Sequence, residues 1–197
     1  KKLTQYYLQN IKLSGANLSD AKKEQLKKVN QQLASLSTEF SNTLLIARKN
    51  GAIVLDKAEE LDGLSAEDIA AAKAKATEAG YDGKYMLGLL NYTQHPLLQY
   101  LNNRTTREKL FKSSWTRAEK NDSGDTRAIL EKIIRLRLEK AQLMGKKSYA
   151  EWSLQDQMAK TPERALDLLA KLAKPATDKA KIEAKDIQDL IDKQNGG

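Results

Sequence analysis

From Ser19 to Asn50 the chain runs without a glycine or a proline, and Leu26, Val29, Leu33, Leu36, Phe40 and Leu44 fall three or four residues apart. Side chains at those intervals share one face of an α-helix. Ser19 offers an N-cap oxygen and Asn50-Gly51 a turn signal, so the spacing predicts one long helix from Ser19 to about Arg48. An apolar stripe of that length is stable only when another element covers it. The expectation for these six residues is core, not a binding surface.

The remaining chain is written in the same manner. Only 10 glycines and 3 prolines punctuate 197 residues. Ala, Leu, Lys, Glu and Gln predominate, and these side chains lose little freedom in a helix. The predicted fold class is all-α with at most a short β-hairpin, arranged as one sizeable domain or two small ones. Leu3, Tyr6, Tyr7, Leu8 and Ile11 predict a first helix that breaks at Ser14-Gly15. Ile53–Leu55 is read as a short extended stretch before a turn at Asp62-Gly63, and Gly51–Leu55 as the partner of a strand expected from Tyr85 to Tyr92. Between them lies an alanine-rich helix ending at Gly80, with Ser65 to Asp68 as capping box and Leu64 and Ile69 as staple. His95-Pro96 is placed outside any helix. A helix capped at Thr105 is expected through about Lys120, and another, capped at Asp125, runs to Met144 and buries Leu130, Ile134, Leu138 and Ala141. Ser148 to Glu151 caps a short helix holding Trp152. Thr161-Pro162 opens the last helix, whose apolar positions include Leu169, Leu172, Ala176, Ala180, Ala184, Ile187 and Ile191, with a kink expected at Pro175. The abrupt start at KKLTQYYLQNIKL and the abrupt end at DKQNGG carry the expectation that both ends are cut.

Charge narrows the partners. Lysine and arginine number 34 against 26 acidic residues, a net charge of +8. Nucleic-acid binding is an alternative, but there is no basic run of five, no Arg-rich recognition stretch and only 6% aromatic content. A solvated lysine surface is the expectation, with no nucleic acid as partner. No apolar run reaches the roughly 18 residues of a membrane span, so no membrane partner is expected either. The absence of cysteine removes thiolate chemistry and disulfides, which favours a cytoplasmic setting, with the periplasm as the alternative.

The chemistry missing from the chain is informative. A zinc peptidase site needs two imidazoles a helical turn apart plus a carboxylate, and His95 is the sole histidine. A hydrolytic triad would require that same His95 as base. Gly145-Lys146-Lys147-Ser148 mimics a phosphate loop, yet Lys140 stands where the upstream glycine belongs. Asn121 to Asp125 resembles part of a calcium loop out of register and is read as a turn with a cap. Glu60 and Asp62, or Glu67 and Asp68, are candidate acid pairs only if buried together. Arg107 and Arg117, ten apart on the expected helix, are candidates for a pair of guanidinium forks, with structural ion pairs preferred; Arg104 lies beside them. No residue is assigned a catalytic, cofactor-binding or metal-binding role. By periodicity and capping alone, a stand-alone helical interaction module fits as well.

Taken in order, Arg104, Arg107 and Glu108; Arg137, Ala141, Leu143 and Gly145; Tyr149 and Ala150; and Met158, Ala159, Lys160, Thr161 and Pro162 form a recognisable series. With the earlier blocks LSGANLSDAKKEQLKKVNQQLASLSTEFSNTLL and EELDGLSAEDIAAAKAKA, the chain resembles the thimet-oligopeptidase-like zinc metallopeptidases, the M3 family, over essentially its whole length. The segments TREKLFKSSWTRAEKND and DQMAKTPE are most similar to its bacterial peptidyl-dipeptidase branch. The resemblance implies a clam-like, mostly helical enzyme with zinc held by an HExxH helix and a downstream glutamate, releasing dipeptides from the C-terminus of oligopeptides. None of those ligands matches a position here. The implied role for residues 1–197 is therefore an N-terminal, non-catalytic channel wall that binds no zinc itself, and the implied partners are oligopeptide substrate and a catalytic half beyond the chain.

Overall fold

The computed structural model describes residues 2–194, apart from the side chains of residues 91–93. Among them are eight α-helices and one two-stranded sheet. They fall into two compact units, one made of the chain up to Asn30 with the chain from Arg137 onward, the other of Gln31–Leu136.

The Gln31–Leu136 unit holds the denser core. It receives the second half of α2 (Asp20–Asn50), then β1 (Ile53–Leu55), a 3-10 turn at Ala58–Leu61, α3 (Ala66–Glu78), β2 (Tyr85–Leu87), α4 (Asn91–Tyr100), α5 (Arg104–Trp115) and the first part of α6 (Arg127–Leu143). The strands pair antiparallel with Ile53 opposite Leu87 and Leu55 opposite Tyr85. Leu55, Leu61, Ala72, Leu87, Leu89, Leu101 and Leu110 form one buried cluster, and Leu64 and Ile69, the expected staple, pack against it. Each buried leucine contributes about 1.5–3 kcal/mol relative to an exposed one. Two glycines permit close approach: a Cβ on Gly124 would lie 2.6 Å from the Ala47 Cα, and one on Gly63 2.1 Å from the Tyr100 carbonyl oxygen.

The other unit contains α1 (Lys2–Leu13), the first part of α2, the end of α6, α7 (Tyr149–Ser153) and α8 (Pro162–Gln194). Its buried hydrophobic residues are few: Leu26, Val29 and Ala141. Stacking supplements them. The Arg137 guanidinium lies 5.1 Å from the Tyr149 ring centroid, the Lys140 ammonium 4.4 Å from that of Trp152, and the two rings are 5.3 Å apart. From Leu166 onward every described residue of α8 is exposed.

Several boundaries differ from expectation for identifiable reasons. The second strand stops at Leu87 rather than Tyr92, because α4 starts at Asn91. His95 and Pro96 lie inside α4, where Leu97 and Leu98 pack on the core, so tertiary packing overrides the proline signal. The α5 cap is Asn103, not Thr105, and the helix ends at Trp115, ahead of Ala118 and Asn121, which both have positive φ. In α6 the buried residues are Ile129, Ile133 and Ala141, whereas Leu130, Ile134 and Leu138 are exposed. In α2, Leu26 and Val29 are buried and Leu33, Leu36, Phe40 and Leu44 half-buried. No helix among the described residues is long and apolar enough to cross a membrane.

Candidate functional site

The two arginines singled out in the sequence are backbone clamps. Arg107 donates through Nη1 to the carbonyl oxygens of Leu101 at 2.5 Å and Asn102 at 2.8 Å, tying the start of α5 to the turn before it. Arg117 lies past the end of α5 and donates to the Leu89 carbonyl at 2.9 Å. Neither forms the expected ion pair among the described residues; charge-assisted bonds to carbonyls take its place. Arg104 is exposed and, behind the dominant Lys112 ammonium, helps hold the Glu108 carboxyl below its usual range.

The acidic candidates are dispersed into local tasks. Glu60 accepts from the backbone N–H of Asp56 and Lys57 at 3.0 and 3.1 Å, closing the 3-10 turn. Asp62 accepts from the Asn102 amide at 3.2 Å. Asp68 is hydrogen-bonded to Ser65 at the start of α3, and Glu67 is exposed one residue earlier. None of these is a buried pair poised for acid–base work. The Asn121–Asp125 segment is a turn: Asp125 accepts from the Arg127 guanidinium and from the backbone N–H of Arg127 and Asn121. The Arg127 guanidinium, then the two backbone donors, hold its carboxyl far below the usual carboxylate range. Gly145 to Ser148 joins two helices. Gly145 has φ +72° after α6, Lys146 lies 3.7 Å from Glu151, and Ser148 caps α7 by accepting from the Glu151 N–H.

Among the described residues no three His, Cys, Asp or Glu side chains are grouped to hold a metal ion. With His95 the one imidazole of the chain, the donor set does not fit a catalytic zinc centre. Two features remain that can engage something else. One is the long apolar face of α8, where Leu166, Leu169, Leu172, Ile187 and Ile191 are exposed. The other is a cavity of about 570 Å³ bordered by α1, the α1–α2 turn, the end of α6 and α7. Gln9 bridges its walls by donating to the Gln155 carbonyl at 2.9 Å. Trp152 forms part of the wall, its indole N–H buried without an acceptor among the described residues. Burial pushes the Lys140 ammonium over that ring below its usual pKa.

Capping at Ser148 places Trp152 in a short helix, and nothing in its spacing marks a role for the indole. The partner Lys140 sits on another helix, and no local spacing announces that meeting. Gln94 was also unmarked, yet it is buried and accepts from the Ser114 hydroxyl at 2.7 Å.

The sequence model of peptidase family M3 matches residues 97–197. Among curated proteins, the dipeptidyl carboxypeptidase of Escherichia coli is 44% identical over 196 residues, covering 100% of this chain and 29% of the relative. That of Salmonella typhimurium is 42% identical, covering 96% and 28%. A probable cytosolic oligopeptidase A of Arabidopsis thaliana is 34% identical, covering 96% and 27%. The chain thus spans less than a third of the length of these relatives.

Proposed function

Because the chain belongs to peptidase family M3, we propose that it is a non-catalytic helical segment of a zinc peptidyl-dipeptidase, a protein that releases dipeptides from the C-terminus of oligopeptides. One observation carries this reading: identity of 44% to a dipeptidyl carboxypeptidase runs the full length of a chain that possesses a single imidazole. A metal-activated water needs several protein ligands on the ion. In this reading those ligands, and the zinc, belong to the rest of the polypeptide.

The segment's own task is steric. Helices with an exposed apolar face, α8 foremost, dock against the catalytic part and wall the channel that admits unfolded oligopeptides. Such a wall excludes water and bulky folded substrates, and it moves as one jaw when the channel opens and closes. The cytoplasm is the compartment assigned, in keeping with a cysteine-free chain.

The test is a replacement. The matching segment of the Escherichia coli dipeptidyl carboxypeptidase is exchanged for residues 1–197, and dipeptide release from an N-terminally blocked oligopeptide with a free C-terminus is followed with and without a zinc chelator. The hybrid is expected to release dipeptides in a chelator-sensitive way, while the 197-residue chain alone releases none. Release by the isolated chain would overturn the division of roles.

A further inference from the structure

We propose that the cavity beside α1 is a binding site for a small amphipathic carboxylate, a single anionic group carried on an apolar body. Its occupant is argued from the walls. Leu8, Leu18 and Met144 supply apolar surface. Lys12, Lys146 and Lys160 stand on the lining, and no aspartate or glutamate does. Lys146 is partly engaged by Glu151 at 3.7 Å, just outside the lining. Lys12 has no ion pair among the described residues, and Lys160 reaches only the Gln155 carbonyl, at 3.4 Å. Two ammonium groups thus have no counter-charge beside an apolar wall.

That combination selects strongly. A cation would meet three lysines. A neutral apolar molecule would cover the leucine surface and leave the ammonium groups unused. A carboxylate answers both, because a hydrogen bond between charged partners is about twice as strong as a neutral one. The volume, about 570 Å³, lies within the ordinary range of small-molecule sites. It holds a ligand the size of a dipeptide or a medium-chain acid. The bridge from Gln9 to the Gln155 carbonyl joins α1 to the segment after α7 and holds the walls together. This site is separate from the peptidase chemistry proposed above, and its fate does not depend on that reading.

The test uses the 197-residue chain with Trp115→Phe, which removes the exposed indole and leaves Trp152, in the cavity wall, as the sole tryptophan. Octanoate and octanamide are titrated separately while Trp152 emission is followed, and the heats are measured in parallel. N-acetyl-leucyl-leucine and its amide form a second pair, which distinguishes a peptide end from a free acid as the source of the carboxylate. The acid of at least one pair is expected to bind saturably and about tenfold or more tightly than its amide. Lys12→Ala with Lys160→Ala, both on exposed side chains and checked for unchanged helical circular dichroism, is expected to erase that preference. No saturable binding by either acid, equal binding of acid and amide, or a preference that survives the double substitution would each overturn the proposal.

Discussion

Gly63 and Gly80 occupy the same left-handed region of backbone space, at φ +92° and +83°, yet their surroundings differ. Nothing lies within 4 Å of a Cβ built on Gly80, whereas at Gly63 the Tyr100 carbonyl is 2.1 Å away. Gly80→Ala is therefore expected to cost only the conformational penalty, about 1–2 kcal/mol. Gly63→Ala adds a collision with backbone and should cost roughly 2–4 kcal/mol. Urea midpoints of the two variants check the order; equal losses would show that the Tyr100 contact yields freely. In the sequence both glycines carry the same turn signal, and only the approach of a distant segment separates them. Asp125 adds a pH dependence. Its folded pKa is depressed, chiefly by the Arg127 guanidinium. A carboxyl of that kind contributes stability that is complete above the unfolded value near 4 and is lost as pH falls through the folded pKa. Asp125→Asn should lower the urea midpoint at pH 7, and the gap to the parent should narrow steadily below about pH 4. A gap as wide at pH 2.5 as at pH 7 would remove the Arg127 pairing as its cause.

At the scale of elements, helices announce themselves better than their ends do. For α5 the capping-box pattern at Thr105 and Glu108 points to Thr105 as the cap. In the fold the Asn103 side chain accepts from the Thr106 N–H at 3.1 Å. Asn103→Ala should thus cost about 1 kcal/mol and Thr105→Ala no more than about 0.5 kcal/mol, read from thermal unfolding. The reverse order would put the helix start back at Thr105. The far end was illegible for another reason. Ala118 adopts φ +66°, a conformation rare for a residue with a Cβ, and the Thr126 N–H bonds to its carbonyl at 2.9 Å. A contact across the turn fixes a backbone that alanine alone would not choose. In α6, Ile129 and Ile133 compete with Leu130 and Ile134 as the inner stripe. The two stripes lie about 100° apart, and periodicity cannot rank them. The hairpin was legible in its pairing, since Ile53–Leu55 does meet Tyr85–Leu87, but not in its length.

For the whole chain, α2 and α6 explain why the sequence left one domain or two equally open. Each helix contributes residues to both units, so no linker rich in glycine, proline or serine marks a boundary. The two units also differ in how they are held, one by a leucine cluster and the other by a few buried residues and stacked rings. α8 shows the same gap between pattern and placement. Its apolar stripe was plain in the sequence, but periodicity names a face without naming what covers it. Leu169 and Leu172 are 61% and 55% exposed, so in the isolated chain they contribute little to folding. Replacing both with Glu should then shift its stability by no more than about 0.5 kcal/mol per site. In the hybrid with the Escherichia coli enzyme the proposed docking buries that face. There the same pair of carboxylates would have to be desolvated without partners, a cost of several kcal/mol. Dipeptide release by the hybrid should accordingly fall about tenfold or more while the isolated chain remains folded. A double variant that leaves the hybrid fully active would mean that this face of α8 stays in water in the parent protein, and the wall would have to be sought on another helix.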